Sequence, residues 1–408
     1  MKNLTSSIII LLLCFISFPS FGQFGCVLNS STGAWESPSG GPCVNSIITA
    51  VPFLRIVPDA RSGGMGDVGI GISADANSMG NNASKLAFVD KDLSIAATYT
   101  PWLRALGIPD VYLAYLSGFK QIDKLSTVGF SLRYFSLGTI SFTDDNGADL
   151  GQGNPNEFEI AVGYARQLSP NLAVSITPKF IYSNLAAGQN VGSVEITPGV
   201  AGAADFSFTY KKEIGLNGKK TDLTAGLAVS NLGTKISYTK SINKDYIPTN
   251  LGLGAAWSIN ADEFNSITFA LDINKLLVPT PCLSENPGDC DTDGNDILDY
   301  KEKSMFGGVL GSFSDAPGGG AEEFRELMYS IGVEYWYDKQ FAVRAGYYHE
   351  HASKGNRKFF TVGLGLKYNI FGLNFSYLVP TTQQRNPLDN TLRFTLMFDF
   401  GAFDYEDQ

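Results

Sequence analysis

Histidine is nearly absent from this chain, with two in 408 residues. Charge is scarce as well, at 17% of residues, and acids outnumber bases to give a formal net charge of −10. Nucleic-acid binding needs a basic stripe, so that class is excluded. Past the opening segment no apolar run approaches the ~20 residues that a membrane-crossing helix needs. The Gly-x-Ser-x-Gly elbow of serine hydrolases is missing, and a histidine-dependent triad would have to recruit His349 or His351. Those two flank Glu350 at a strand end, where an interfacial role is the simpler reading. No catalytic residue is assigned, and the chain is read as a non-enzyme. What it has in quantity is glycine, 44 residues, and aromatics, 12%.

The chain opens MKNLTSSIIILLLCFISFPSFGQ. Lys2, an apolar core over residues 8–15, and small Ser20 and Gly22 ahead of Gln23 read as an export signal over 1–22. Residues 23–90 are then an N-terminal extension, and 91–408 carry the main body. Cys14 falls within the signal. The remaining Cys26, Cys43, Cys282 and Cys290 allow three pairings. Two local disulfides, Cys26/Cys43 and Cys282/Cys290, are the expectation for an exported chain. Closing the short Cys282–Cys290 loop contributes about 2.5 kcal/mol on the chain-entropy account.

From about Leu93 one pattern dominates. In Val128-Gly129-Phe130-Ser131-Leu132-Arg133-Tyr134 one face is Val, Phe, Leu and Tyr, and the other is Gly, Ser and Arg. The period of two recurs through Phe158–Tyr164, Leu251–Trp257, Val362–Tyr368 and Leu392–Phe400. A helical period of 3.6 fits none of these. A soluble sandwich and a transmembrane barrel both put one apolar face on each strand, and the second face separates them. Here it is mostly Gly, Ser, Thr and Ala, with a few charges: Arg133, Lys179, Asp205, Asp272, Glu334, Arg344, Lys367 and Arg393. A Lys or Arg facing lipid costs ~2–4 kcal/mol at the midplane, so these side chains are expected to face a lumen. Aromatics gather toward the strand ends, as interface girdles do.

The strands expected are 91–100, 110–121, 124–137, 156–168, 171–183, 198–212, 221–231, 249–259, 265–275, 328–337, 340–350, 357–369, 371–379 and 390–400. The fold class is therefore all-β: a 14-stranded antiparallel transmembrane barrel. Every second connection is short, with 213–220 as the exception, and the others are mostly long, above all 276–327. Short periplasmic turns alternating with long outer loops is the asymmetry of bacterial barrels. It places 276–327 outside the cell.

Gly64-Met65-Gly66-Asp67-Val68-Gly69 matches G-x-G-x-x-G, with Asp90 about twenty residues on. A dinucleotide site needs a buried strand before the glycines and a helix after them. Asp59-Ala60-Arg61-Ser62 and Gly69-Ile70-Gly71-Ile72-Ser73 supply neither. Close backbone packing explains the glycines better. The acidic run 289–299 resembles the thrombospondin type 3 calcium repeat. Asp291, Asp293, Asn295 and Asp299 are the candidate ligands for one calcium ion, since oxygen donors at alternate positions can wrap a hard cation. A starting register at Asp289 keeps Gly294 at the bend and stays open.

"VPFLRIVPDARSGGMGDVGIGISADANSMGNNASKLAF" (51–88) resembles the opening of the PorV family of the type IX secretion system, and more broadly the FadL-like barrels with their "ARxxGMGxAG" and "NPA" elements. Here the second element reads Asn82-Ala83-Ser84, without the proline. "FALDINKLLVPTP" (269–281) and "GVEYWYDKQFAVRAGYYHEHASKGNRKFFTVGLGLKYNIFGLNFSYLVP" (332–380) are similar to the same family. The resemblance implies a fourteen-stranded barrel with the N-terminal segment packed in or under its lumen, and an outer-membrane component that docks on the SprA-type translocon and binds cargo proteins by their C-terminal secretion domains. It also implies passage of cargo to a surface complex containing a PorU-like sortase. FadL-like uptake of hydrophobic molecules and lipopolysaccharide deacylation are the alternatives. Expected partners are these proteins and outer-membrane lipid. Met305, Phe306, Leu310 and Phe313, in the partly apolar outer segment 305–324, are the candidate contact residues.

Overall fold

A computed structural model describes residues 26–29, 34–36, 43–103, 108, 110–143, 146–191, 194–216, 219–240, 243–284, 287–381 and 390–401. The expected export signal lies outside them. Fourteen antiparallel strands close into a barrel. In chain order they are β1 Leu93–Pro101, β2 Val111–Asp123, β3 Ser126–Leu137, β4 Asn156–Ser169 and β5 Leu172–Asn184. Next come β6 Gly199–Leu216, β7 Lys219–Gly233, β8 Asn250–Asn260, β9 Asn265–Leu276 and β10 Met328–Tyr337. The last are β11 Phe341–His349, β12 Lys358–Tyr368, β13 Phe371–Pro380 and β14 Leu392–Phe400. Each strand pairs with the next, and β14 closes on β1 from Phe394↔Tyr99 to Phe400↔Leu93.

The strands fall where the period of two puts them, with one difference. β6 runs on to Leu216 and β7 begins at Lys219, in register Glu213↔Asp222 and Leu216↔Lys219. The expected long exception at 213–220 therefore shrinks to the residues between 216 and 219. Charged residues had ended the apolar pattern there, but a strand that overshoots the bilayer into water keeps its ladder without apolar side chains. Loops 138–155 and 184–197 carry small hairpins of their own, Ile140–Thr143 with Asp149–Gly153 and Asn190–Val191 with Val194–Glu195.

Burial alternates along the strands. The apolar parity is the exposed one: Phe130, Leu132, Ile160, Val162, Leu253, Phe269, Val362 and Leu364 are all open. Exposed Trp257, Tyr337, Tyr368 and Phe371 gather toward the short-turn end, and Tyr99 and Phe360 toward the other. The small and polar parity is buried, including Ser117, Ser131, Thr177, Ser207, Thr209, Thr361 and Thr395. Buried hydroxyls satisfy one another, as in Thr98–Thr395 at 2.7 Å and Ser175–Ser207 at 2.6 Å. Of the charges expected on this parity, Arg133, Asp272, Glu334, Arg344 and Arg393 are buried almost completely.

Residues 43–92 supply the material against which that parity is buried. Ala60 N–H donates to Thr395 of β14, Gly66 N–H to Thr361 of β12, and Gly69 and Ile70 N–H to Asp272 of β9. Asn82 Nδ2 donates to Thr209 of β6, and Arg133 of β3 donates to the carbonyls of Phe53 and Leu54. Ser117 of β2 donates to Asn77. The glycine motif serves this packing. Gly66 has φ +72°, and a Cβ there would stand 2.6 Å from Tyr347 N. A Cβ on the facing Gly346 would stand 2.1 Å from Gly66 N. Two backbones meet where no side chain fits, and nothing in this geometry cradles a phosphate.

Candidate partner-binding surface

The connection from β9 to β10 is built on caps and buried charge. Ser304 Oγ accepts from Gly307 N–H at 3.1 Å and caps the helix Met305–Gly311. Phe306 and Leu310 stand four residues apart, hence on one helix face, and are 63% and 73% exposed. On the inner side is Gly308, where a Cβ would come within 2.9 Å of the Tyr246 ring. Tyr246 donates its hydroxyl to the Lys303 carbonyl. Burial pushes its phenol up to about 12, so it stays a donor. Lys301 Nζ adds an ion pair to Asp245 at 2.7 Å.

The following helix, Gly320–Arg325, is held from below. Lys275 binds Glu323 at 2.9 Å and also Glu326, and Lys354 binds Glu322 and, at 2.9 Å, Glu326. Thr280 Oγ1 donates to Glu326 at 2.7 Å, and Asn45 Nδ2 to Glu322 at 3.1 Å. Burial alone would raise the Glu322 carboxyl. The hydrogen bond and charge of Lys354 outweigh it and hold that carboxyl below its ordinary value. With this anchor, Phe324 on the opposite side is 74% exposed and Phe313 is 50% exposed. Together with Leu251, Leu253, Ile273 and Leu327 they enclose an apolar hollow of about 370 Å³.

Of the four expected contact residues, Phe306, Leu310 and Phe313 are exposed, and Met305 is half-buried. Phe324 was not singled out. It follows two glutamates, and only the tertiary burial of Glu322 turns the phenylalanine outward. Both expected disulfides are formed, Cys26–Cys43 and Cys282–Cys290, each with Cα atoms 5.7 Å apart.

The candidate calcium ligands make hydrogen bonds within their own loop. Asp291 accepts from the N–H groups of Gly294, Asn295 and Asp296. Asp293 accepts from Asn295, and Asp299 takes both the N–H and the hydroxyl of Thr292 at 3.0 Å. Asn295 Oδ1 accepts from Ile297 N–H. Among the described residues no group of three or more His, Cys, Asp or Glu converges as a metal site.

Under the loop, Arg61 of the N-terminal segment grips Glu334 of β10 through two bonds, 2.9 and 2.7 Å, and Asp75 at 3.1 Å. Arg344 of β11 donates to the same Glu334 at 2.6 Å. Arg133 reaches the N-terminal segment as well, whereas Lys179 turns to Glu159 and Asp205 on neighbouring strands.

A closed barrel with an apolar outer belt, a buried polar inner face and long loops at one end defines an outer-membrane protein. The model of the type IX secretion system protein PorV matches residues 43–283, more than half of the chain, and the chain belongs to that family. It is thus an outer-membrane protein of type IX secretion. No curated protein sequence matches it. Solved structures with a similar fold include the P. putida toluene transporter TodX, at 10% identity and TM-score 0.48 over 84% of this chain and 98% of that one. The Ralstonia pickettii toluene transporter TbuX is similar at 11% identity and TM-score 0.43, over 84% and 98%. A Pseudomonas aeruginosa FadL homologue is similar at 9% identity and TM-score 0.40, over 88% and 100%.

Proposed function

We propose that this barrel is a cargo carrier at the cell surface. It docks on an SprA-type translocon, binds the C-terminal signal domain of exported proteins, and delivers them to an attachment complex with a PorU-like sortase. One observation carries the reading: Phe306, Leu310, Phe313 and Phe324 stand exposed on a loop anchored by buried ion pairs. Large apolar side chains left exposed on one ordered loop mark a binding site.

Residues 43–90 act in this reading as a plug. Two cavities border them, of about 130 and 740 Å³; Arg55, Asp67, Arg133 and Asp272 are among the walls of the first, and Arg61, Asp75, Lys91 and Arg344 among those of the second. Sites for small apolar ligands have mostly apolar walls, and these charged linings weigh against FadL-like uptake. Deacylation gains no support from the histidines. His351 Nδ1 accepts from Ser353 N–H as a helix cap, and Glu350 is held by Arg55 and Arg357.

Affinity purification in mild detergent tests the proposal. The unaltered protein should co-elute with a very large barrel partner. Phe306→Glu with Leu310→Glu, or deletion of 303–322, should abolish this while the barrel stays folded. Unchanged co-elution would reject this surface.

A further inference from the structure

We infer that the amino-terminal stretch of the exported chain is displayed on the outer face of the barrel, and that the chain threads the barrel from the outside inward. The contacts along the segment fix its direction. Cys26 is joined to Cys43, and the strands Val27–Asn29 and Ala34–Glu36 pair between them. Asn45 N–H donates to Ser353 O at 2.9 Å, and its side chain to Pro281 O and Glu322. Ala50 N–H donates to Tyr246 O at 2.9 Å. All these partners lie in long connections.

The next contacts are lower. The Phe53 ring stacks 6.5 Å from Phe135, near the long-loop end of β3. Residues 60–71 meet the middle of the strands, at Glu334, Thr361 and Thr395. Leu86 and Ala87 pack in one cluster with Phe119, Ala165 and Ala173, toward the short-turn ends of β2, β4 and β5. The segment then joins β1 at Leu93, on the short-turn side. Long connections of outer-membrane barrels face the outside and short turns face the periplasm. Residues 43–92 therefore descend from cell surface to periplasm, and Cys26–Cys43 closes a hairpin on the outer side.

Two consequences follow. The plug is held at both ends, by that hairpin outside and by the covalent link to β1 inside, so it cannot slide out toward the periplasm as an extended chain. The outer face also gains Val44 and Ile48, 61% and 77% exposed. Their neighbours Asn45 and Ala50 are bonded to the elements that carry the loop surface. This second point rests on the proposed function, since it assigns both residues to the surface that meets the secretion partner.

The experiment uses the full-length protein in its own cells. An epitope tag inserted between Gln23 and Phe24 should bind antibody on intact cells, whereas a tag after Gln408 should bind only after permeabilisation. An N-terminal tag that needs permeabilisation would overturn the topology. In the same cells, Val44→Glu with Ile48→Glu should lower co-purification of the large partner at least about tenfold, the scale of losing interface anchors. A surface-exposed tag with unchanged co-purification would remove Val44 and Ile48 from the interface. Co-purification that survives deletion of 303–322 would instead fault the proposed function, and the tag result would stand apart from it.

Discussion

Glu334 accepts from two buried arginines, Arg61 and Arg344. Removing one partner of a buried pair costs roughly 3–5 kcal/mol, because the remaining charge is left unpaired. Glu334→Ala strands two guanidiniums, so the plug should loosen. A barrel that is closed in planar bilayers should then show open events, and the folded band on gels should be lost at a lower temperature. An unchanged conductance trace would mean that this contact does not hold the plug. Gly346→Val is expected to act through shape instead, since a Cβ there meets Gly66 N at 2.1 Å. Overpacking of this kind costs about 1–3 kcal/mol, read as a lower melting temperature. The inward parity of Glu334 and Arg344 was legible from alternation alone. That Arg61 would meet them was not, because 273 residues separate Arg61 from Glu334.

The β9–β10 loop is ordered by its charges, so its behaviour should follow pH. The Glu322 carboxyl is held below its ordinary value, with burial opposing and Lys354 prevailing. Its stabilising contribution is thus full above the ordinary carboxylate range and lost as pH falls through the depressed value. Protease cleavage within 303–322 on purified protein, using an acid-tolerant enzyme, should rise at that low pH and stay slow at neutral pH. Lys354→Met should make the loop sensitive at neutral pH, with barrel melting nearly unchanged; a resistant loop would show the anchor to be dispensable. At the acidic run, calorimetry with millimolar calcium tests the expected ligands Asp291, Asp293, Asn295 and Asp299: saturable heat supports a calcium site there, and no heat ends the idea. The loop's length and apolar residues were plain in the sequence. Which of them face outward depended on the burial of Glu322 and Glu326, two side chains that sequence rules place in solvent.

The whole molecule is a barrel in an apolar coat, with polar contacts across its middle and an apolar cluster of Phe53, Leu54, Leu113, Phe135 and Ile181 toward the long loops. Its strand count and topology were legible because alternation is a local property: in a strand each neighbour points to the opposite face, and lipid on one side demands apolar side chains there. The turn asymmetry gives the expected orientation without any knowledge of contacts. β6 and β7 were read short because polar ends that emerge from the bilayer look like loops. Local disulfide pairing was also open to sequence, since each pair spans few residues. The path of residues 43–92 was not. Its glycines announced close packing, but the strands it meets lie up to about 335 residues away in the chain, as Ala60 and Thr395 do. Sequence by itself determined what each strand shows to lipid. Only the closed tertiary structure decided which strand each part of the N-terminal segment meets, because those contacts exist only once β14 has met β1.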